Sequence, residues 1–434
     1  MSNNYELNME QAIKEANRCL QCKVPQCRKG CPISNNIPEF INELANGNLG
    51  DAYRIIARKS NLPAICGRVC AHELQCEGHC VLAKKDEAIR IGMLEKTIAD
   101  FAAEMKLPVT KLPQKDKGRI AVIGSGPAGL TVAGDLAKQG FSPTVFEALD
   151  EPGGILLYGI PSFRLSKKVV KREIDAIKSL GVTFVNNCVA GEDITVDDMF
   201  NQGFDAIFIG TGTAIARSLE LPGKELAGVV QASYLLRMYY LFRSHQISRE
   251  EVGLEPGSHV LVIGAGNVGM DAARTAKILG ADSVSIVYHR PQSEMKALKS
   301  EYDATTEEGV DFKFEHKPLE FIGNGEKITA LLVETPEGKK EMKADKIFLA
   351  VGSRPASRVV NSTHGIDVDS SGYVVVSQRP YGMTSRKGVF AGGDVVHRPA
   401  TVVLAMREAK RVAQGIEEYV NAVNLIRYID EQER

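Results

Sequence analysis

A chain of 434 residues has room for two or three domains with ample core. A charged fraction of 25% with a formal net charge of −1 leaves no excess of sign to grip nucleic acid or another polyanion. No apolar run is long enough to span a bilayer, and the opening MSNNYELNMEQAIKEANR lacks a signal peptide's apolar segment, so the expectation is a soluble, cytoplasmic protein.

In that compartment nine cysteines argue for metal or redox chemistry over structural disulfides, and eight of them fall between Cys19 and Cys80. Residues 1–113 read as one helical unit. A helix is predicted over 6–18, two short ones over 37–59 and another over 89–105, before the Pro- and Lys-containing linker 107–117. The cysteines run Cys19-x2-Cys22-x4-Cys27-x3-Cys31-Pro32, then Cys66-x3-Cys70-x5-Cys76-x3-Cys80. Zinc would prefer paired Cys-x2-Cys knuckles, which the second set lacks. Iron–sulfur ligation fits best: a run ending in Cys-Pro is similar to the bacterial ferredoxin pattern, where the last cysteine can serve the other cluster. Eight thiolates suffice for two [4Fe-4S] clusters. His72 and His79 lie among them and read as surface histidines or outer neighbours.

The stretch RIAVIGSGPAGL (119–130) follows with a buried strand, Gly124, Gly126 and Gly129, and a helix. Gly124 permits the tight turn, Gly126 lets a pyrophosphate approach the backbone, and Gly129 lets helix and strand pack. The next predicted strand, Pro143–Phe146, ends at Glu147, placed as a ribose hydroxyl partner would be. PGGILLYGIPSFRL (152–165) offers close backbone approach to a flat ligand, and 167–180 is an amphipathic helix. Cys188 follows a strand as a half-buried thiol.

A second fingerprint starts at His259 and carries Gly264, Gly266, Asn267, Val268 and Gly269. Its next strand ends in His289-Arg290 where the first has Glu147. An acid suits a free 2′-hydroxyl and an arginine a 2′-phosphate, so this site leans towards NADP(H) over NAD(H). Residues 310–350 are β-rich. GVFAGGD (388–394) then places Asp394 where it can accept from a ribityl hydroxyl. The helix opening at Thr401 and running through Ala413 offers its partial positive charge to a ring that gains negative charge on reduction.

These stretches together resemble the small subunit of glutamate synthase and its relatives, the N-terminal part of dihydropyrimidine dehydrogenase and the large subunit of NADH-dependent ferredoxin:NADP oxidoreductase. The matching stretches are the two cysteine sets, GSGPAGL, GGILLYGIPSFRL, GAGNVGMDAARTA, VYHR and GVFAGGDVV…ATVVLAM, spread across nearly the whole chain. The resemblance implies an α/β fold: two Rossmann-like domains, the NAD(P)H domain (241–351) inserted in the FAD domain (114–240 and 352–434), behind an α-helical iron–sulfur domain (1–113). It implies one cluster on Cys19, Cys22, Cys27 and Cys80 and another on Cys31, Cys70 and Cys76. Glu95 is its implied fourth ligand, which leaves Cys66 a non-ligating neighbour. FAD would lie on Gly124, Gly126, Pro127, Ala128, Gly129, Glu147, Gly154, Ile155, Val189, Gly393, Asp394, Thr401 and Val402. NAD(P)H would lie on Gly264, Gly266, Asn267, Val268, Gly269 and Arg290.

The chain departs from the family pattern at His289, at Lys296-Ala297 and at Arg398-Pro399. The implied activity is electron input: a hydride from NAD(P)H to FAD, then single electrons through both clusters to a partner subunit, with no catalytic side chain. Alternatives are a subunit of an electron-bifurcating ferredoxin:NAD(P) oxidoreductase or of a pyrimidine-reducing dehydrogenase, a zinc-bearing diaphorase, and a redox-sensing scaffold without turnover.

Overall fold

The computed structural model describes residues 7–107, 113–398 and 401–433. The predicted linker therefore lies partly, and Pro399 wholly, outside the described residues. The chain forms two compact units, one of residues 1–156, 164–214 and 354–434, the other of 157–163 and 215–353.

The first unit begins with helices α1 (Met9–Asn17), α2 (Gln26–Gly30), α3 (Ile37–Ala45), α4 (Leu49–Ala57), α5 (Pro63–Val69) and α6 (Ile91–Glu104). At α1 the Asn8 side chain accepts from the Gln11 N–H at 2.8 Å while Gln11 accepts from the Asn8 N–H at 3.0 Å, a reciprocal cap for the first turn. Prolines in the first turns of α3 and α5 occupy positions whose N–H would have no helical partner. Phe40, Ile41, Leu44, Ile56, Leu94 and Ile98 form a shared apolar core between these short helices.

Next in this unit come β1 (Arg119–Ile123), α7 (Pro127–Gln139), β2 (Ser142–Phe146), α8 (Lys167–Ser179), β3 (Thr183–Val185) and β4 (Ala206–Ile209). The second unit contributes β5 (Val229–Gln231), β6 (His259–Ile263), α9 (Asn267–Ile278), β7 (Ser283–Val287) and β8 (Asp311–Lys313). It also holds the antiparallel β9 (Lys317–Asn324), β10 (Lys327–Thr335) and β11 (Gly338–Lys343), then β12 (Lys346–Leu349). The first unit closes with β13 (Val389–Ala391) and α10 (Val402–Gln432).

Each unit contains a five-stranded parallel sheet, in the order β13-β4-β1-β2-β3 and β5-β12-β6-β7-β8. The strand that feeds each glycine turn is central and apolar, as a parallel strand covered on both faces must be. Helix α10 continues well past the predicted end at Ala413, because buried positions go on at Ile416 and Val420. Gly415 is no break: a Cβ there would stand 2.2 Å from the Tyr381 carbonyl oxygen, so the glycine admits a crossing loop.

Candidate functional site

The eight clustered cysteines divide four and four. Cys19, Cys22, Cys27 and Cys80 line a hollow with about 390 Å³ of empty space, walled by Ile37, Pro38, Ile41 and Ile91. Cys31, Cys66, Cys70 and Cys76 line a second of about 360 Å³, together with Glu95, Asn35, His72 and Val403. The last cysteine of each run thus crosses to the other run's hollow. Among the described residues no three His, Cys, Asp or Glu side chains converge as they would on a single ion; the thiols stand around a space instead.

Burial pushes the Cys27 and Cys31 thiols up to about 11, and Cys76 further still. Cys70 is raised well above its usual value by its hydrogen bond with Cys66 and by burial. Such thiols ionise when a metal displaces the proton, which suits a donor set meant for metal. Cys66 is 2% exposed, its Sγ 3.8 Å from Ser60 Oγ and 3.7 Å from Met406 Sδ. Glu95 is buried and accepts from Asn35 Nδ2 at 3.5 Å; burial, then the nearby Glu173 charge, push it up to about 8.

The sequence offers nothing to separate His72 from His79, and the structure separates them. His79 is exposed, with Nδ1 2.6 Å from the Gln75 carbonyl. His72 lines the second hollow. Burial pulls it down to about 4, against the opposing pull of a hydrogen bond to the Cys66 carbonyl, so the ring is neutral.

Around the first glycine turn, Gly124 has φ +95°, and a Cβ there would stand 2.8 Å from the Gly210 carbonyl oxygen. A Cβ on Gly129 would stand 1.9 Å from the Gly124 carbonyl oxygen, whereas one on Gly126 would meet nothing within 4 Å. Strand and helix therefore touch on one side of the turn, and the other side is open, as a pyrophosphate cradle requires. Gly154 and Gly393 join this group: their missing Cβ atoms would stand 2.9 Å from Gly126 Cα and 2.7 Å from Ala128 Cβ. Pro127 occupies the first turn of α7, and Ile155 is a 52% exposed apolar side chain.

Glu147 is buried and accepts from the Ser125 N–H and the Leu149 N–H, each at 3.0 Å, and from Ser125 Oγ. It braces the turn, a role the sequence does not show, while its remaining lone pairs can still accept from a ligand. Val189 sits in a turn that closes on itself, its N–H donated to Asp193 Oδ2 at 2.7 Å. Asp394 is pushed up to about 6 by burial alone. Thr401 caps α10, accepting from the Leu404 N–H at 3.4 Å, and Val402 is the helix's first residue.

The second turn repeats the first. A Cβ on Gly264 would stand 2.4 Å from the Ala350 carbonyl oxygen, and one on Gly269 2.0 Å from that of Gly264; one on Gly266 would meet nothing. Asn267 opens α9 with a buried Oδ1 that has no partner, an orphan acceptor beside an open cradle. Val268 is 42% exposed. Arg290 is half exposed, 3.1 Å from Glu294 Oε2, its Nε donating to His289 Nε2 at 3.0 Å. The departing segment touches this turn, since the Ala297 N–H donates to the Ala265 carbonyl at 3.3 Å.

Comparison with known proteins agrees with both halves. Residues 2–107 match the family described as dihydropyrimidine dehydrogenase domain II, 4Fe-4S cluster, and residues 118–409 match the pyridine nucleotide-disulphide oxidoreductases. The glutamate synthase [NADPH] small chain of Azospirillum brasilense is 34% identical over 95% of this chain and 90% of its own. A subunit of NAD-dependent dihydropyrimidine dehydrogenase from Salmonella typhimurium is 32% identical over 94% of each chain. Among solved structures, FprA from Mycobacterium tuberculosis covers 71% of this chain and 85% of its own with a TM-score of 0.58 at 18% identity, a likeness of fold. No described helix is long and apolar enough to cross a membrane. The chain belongs to the pyridine nucleotide-disulphide oxidoreductases, in the family of the glutamate synthase small chains, and is an oxidoreductase with a 4Fe-4S domain ahead of its flavin and pyridine-nucleotide region.

Proposed function

We propose that this protein is a cytoplasmic electron-input subunit that takes reducing equivalents from NADPH in preference to NADH and passes them to a partner subunit of the glutamate synthase large-chain type. When bound, FAD accepts a hydride as an electron pair and two [4Fe-4S] clusters carry electrons singly, which is the chemistry the chain itself lacks. The observation that carries this reading is the four-and-four sorting of cysteines in the same compact unit as the first glycine turn. Val403, one residue past Val402, lines the second hollow, so one helix start serves the proposed flavin site and that hollow.

The residues bind and orient. Gly124, Gly126 and Gly129 open the α7 N–H groups to a pyrophosphate, with Gly154 and Gly393 clearing space beside them. Asp394 accepts from a hydroxyl, and Thr401 and Val402 set the positive end of α10. In the second unit Asn267 supplies its orphan acceptor and Arg290 recognises a 2′-phosphate. Cys19, Cys22, Cys27 and Cys80 hold one cluster; Cys31, Cys70, Cys76 and a fourth donor hold the other.

Anaerobic titration with NADPH and NADH, with iron and acid-labile sulfide analysis, tests this reading. We expect about eight irons per chain and bleaching of the flavin by NADPH at lower concentration than by NADH. Flavin that neither nucleotide bleaches sinks the hydride step, and zinc without sulfide removes the electron exit. The protein that co-purifies distinguishes a glutamate synthase large chain from a pyrimidine-reducing or ferredoxin-linked partner.

A further inference from the structure

We infer that the lip of the first cysteine-lined hollow is the docking surface of the electron-accepting partner, and that the partner meets it with an apolar centre ringed by carboxylates. This deepens the electron-input reading and depends on it. The two hollows share walls, because Ile37 and Ile91 line both. Val403, at the start of α10, lines the second, and Leu20 lines the first. Leu20 is also 61% exposed, so one side chain is both inner wall and outer surface. The thiols agree: Cys19, Cys22, Cys27 and Cys80 are all partly exposed, whereas Cys66 and Cys76 are buried. The hollows therefore stand in series, the second beside the proposed flavin site and the first at the surface.

The lip is apolar at its centre and cationic around it. Val24, four residues on from Leu20, is a second bare apolar side chain at 60% exposure. The stretch from Arg18 to Pro38 contains Arg18, Lys23, Arg28 and Lys29 and no carboxylate. Arg18 donates to Asp86 Oδ2 at 3.2 Å and to the Glu87 carbonyl at 2.6 Å, which brings the segment of Lys84 and Lys85 alongside. Asp86 is answered by that arginine, and Glu39 lies 3.6 Å from Arg28. Lys23, Lys29, Lys84 and Lys85 are exposed and have no ion pair among the described residues. In a chain of formal net charge −1 this is a local field. Bare apolar groups inside a polar rim mark a place where another protein settles, and the sign of the rim selects an acidic one. A second copy of this chain fits poorly, since a symmetric contact would set lysine against lysine.

The experiment gives the full-length, anaerobically purified protein NADPH and one of two one-electron carrier proteins of opposite charge, acidic plastocyanin or basic cytochrome c. Each NADPH yields a hydride, so two carriers are reduced and one proton is released. The acidic carrier should be reduced faster, and its rate should fall about tenfold between ~20 mM and ~500 mM salt. Lys29→Glu combined with Lys84→Glu should lower that rate about tenfold at low salt, with flavin bleaching by NADPH and iron content unchanged. Failure to reduce the acidic carrier, a preference for the basic one, or a rate indifferent to salt overturns the inference without any variant. An unaltered rate in the double variant also overturns it, as does a dimer that dissociates in Val24→Ser, which would give the face to a second copy. Flavin that NADPH does not bleach, or protein without iron and sulfide, would instead defeat the underlying electron-input reading, so the two failures are told apart.

Discussion

The two glycine turns are near copies in backbone and opposites in their surroundings. In each, a Cβ on the third glycine would strike the first glycine's carbonyl oxygen, at 1.9 Å in one and 2.0 Å in the other, while the middle glycine faces open space. Yet the strand after the first stops at Phe146 and is followed at once by buried Glu147, tied back onto Ser125. The strand after the second stops at Val287 and is followed by Tyr288, with half-exposed Arg290 two residues further on. The helices differ as well. Asp135 on α7 accepts from Asn61 at 2.7 Å and pairs with Lys410 at 2.6 Å, whereas on α9 the Arg274 guanidinium pairs with Glu308 at 2.7 Å and lies 4.3 Å from the Phe163 ring centroid. On the proposed reading, the first turn, braced into its own unit, holds the resident flavin, and the second takes the nicotinamide nucleotide that comes and goes.

Matched substitutions test that contrast. Gly129→Ala should cost about 3 kcal/mol, the upper end for forcing an extra methyl into packed backbone, and yield protein without flavin colour. Gly269→Ala should keep the colour and lose reduction by NADPH; if both variants lose flavin equally, the division of labour is wrong. Asp135→Asn leaves the Lys410 ammonium without its counter-charge and should lower stability by about 3 kcal/mol, read by denaturant unfolding of the first unit.

Asp394 gives a pH signature. Its folded-state pKa of about 6 lies above the ordinary 3.8, so the folded chain binds a proton the unfolded chain has lost. The resulting stabilisation is fully present below the ordinary value and is lost as pH rises through about 6. In flavin-free protein Asp394→Asn should therefore raise stability at pH ~8 by about 3 kcal/mol and leave it unchanged below about pH 3, while weakening flavin retention. Arg290→Ala should have the smallest effect, raising the KM for NADPH about tenfold, which is about 1.4 kcal/mol, with that for NADH unmoved. An equal rise for both nucleotides would show that Arg290 does not read the 2′-phosphate.

Much of the fold and site is legible in the sequence because it depends on local backbone demands. The spacing Gly124-x-Gly126-x2-Gly129 dictates a turn whatever surrounds it, and buried parallel strands announce themselves as apolar runs. The crossing of Cys31 and Cys80 between hollows comes from resemblance, since sequence spacing alone does not say which thiols meet. For the same reason the sequence leaves His72 open between a surface histidine and an outer neighbour of the cysteines: Gly92 and Glu95, beside it in the fold, come from another segment. Nor does a glutamate at a strand end reveal that Ser125 will engage it. Helix α10 outruns its predicted end because Gly415 is there for a contact with Tyr381 that is remote in sequence.

Strand β13 pairs in parallel with β4 across a long separation in the chain, residue 389 against 207. At ribosomal speeds of roughly 5–20 residues per second, β4 emerges roughly 10–40 seconds before the strand that covers its open edge. The second unit's strands, between 229 and 349, are all translated within that interval. The nascent chain thus finishes an inner unit while the outer sheet still shows a bare apolar margin, Ala206–Ile209. Expression would profit from chaperone cover or slow growth during that interval, and stop codons placed before residue 389 should give aggregates rather than a smaller flavoprotein.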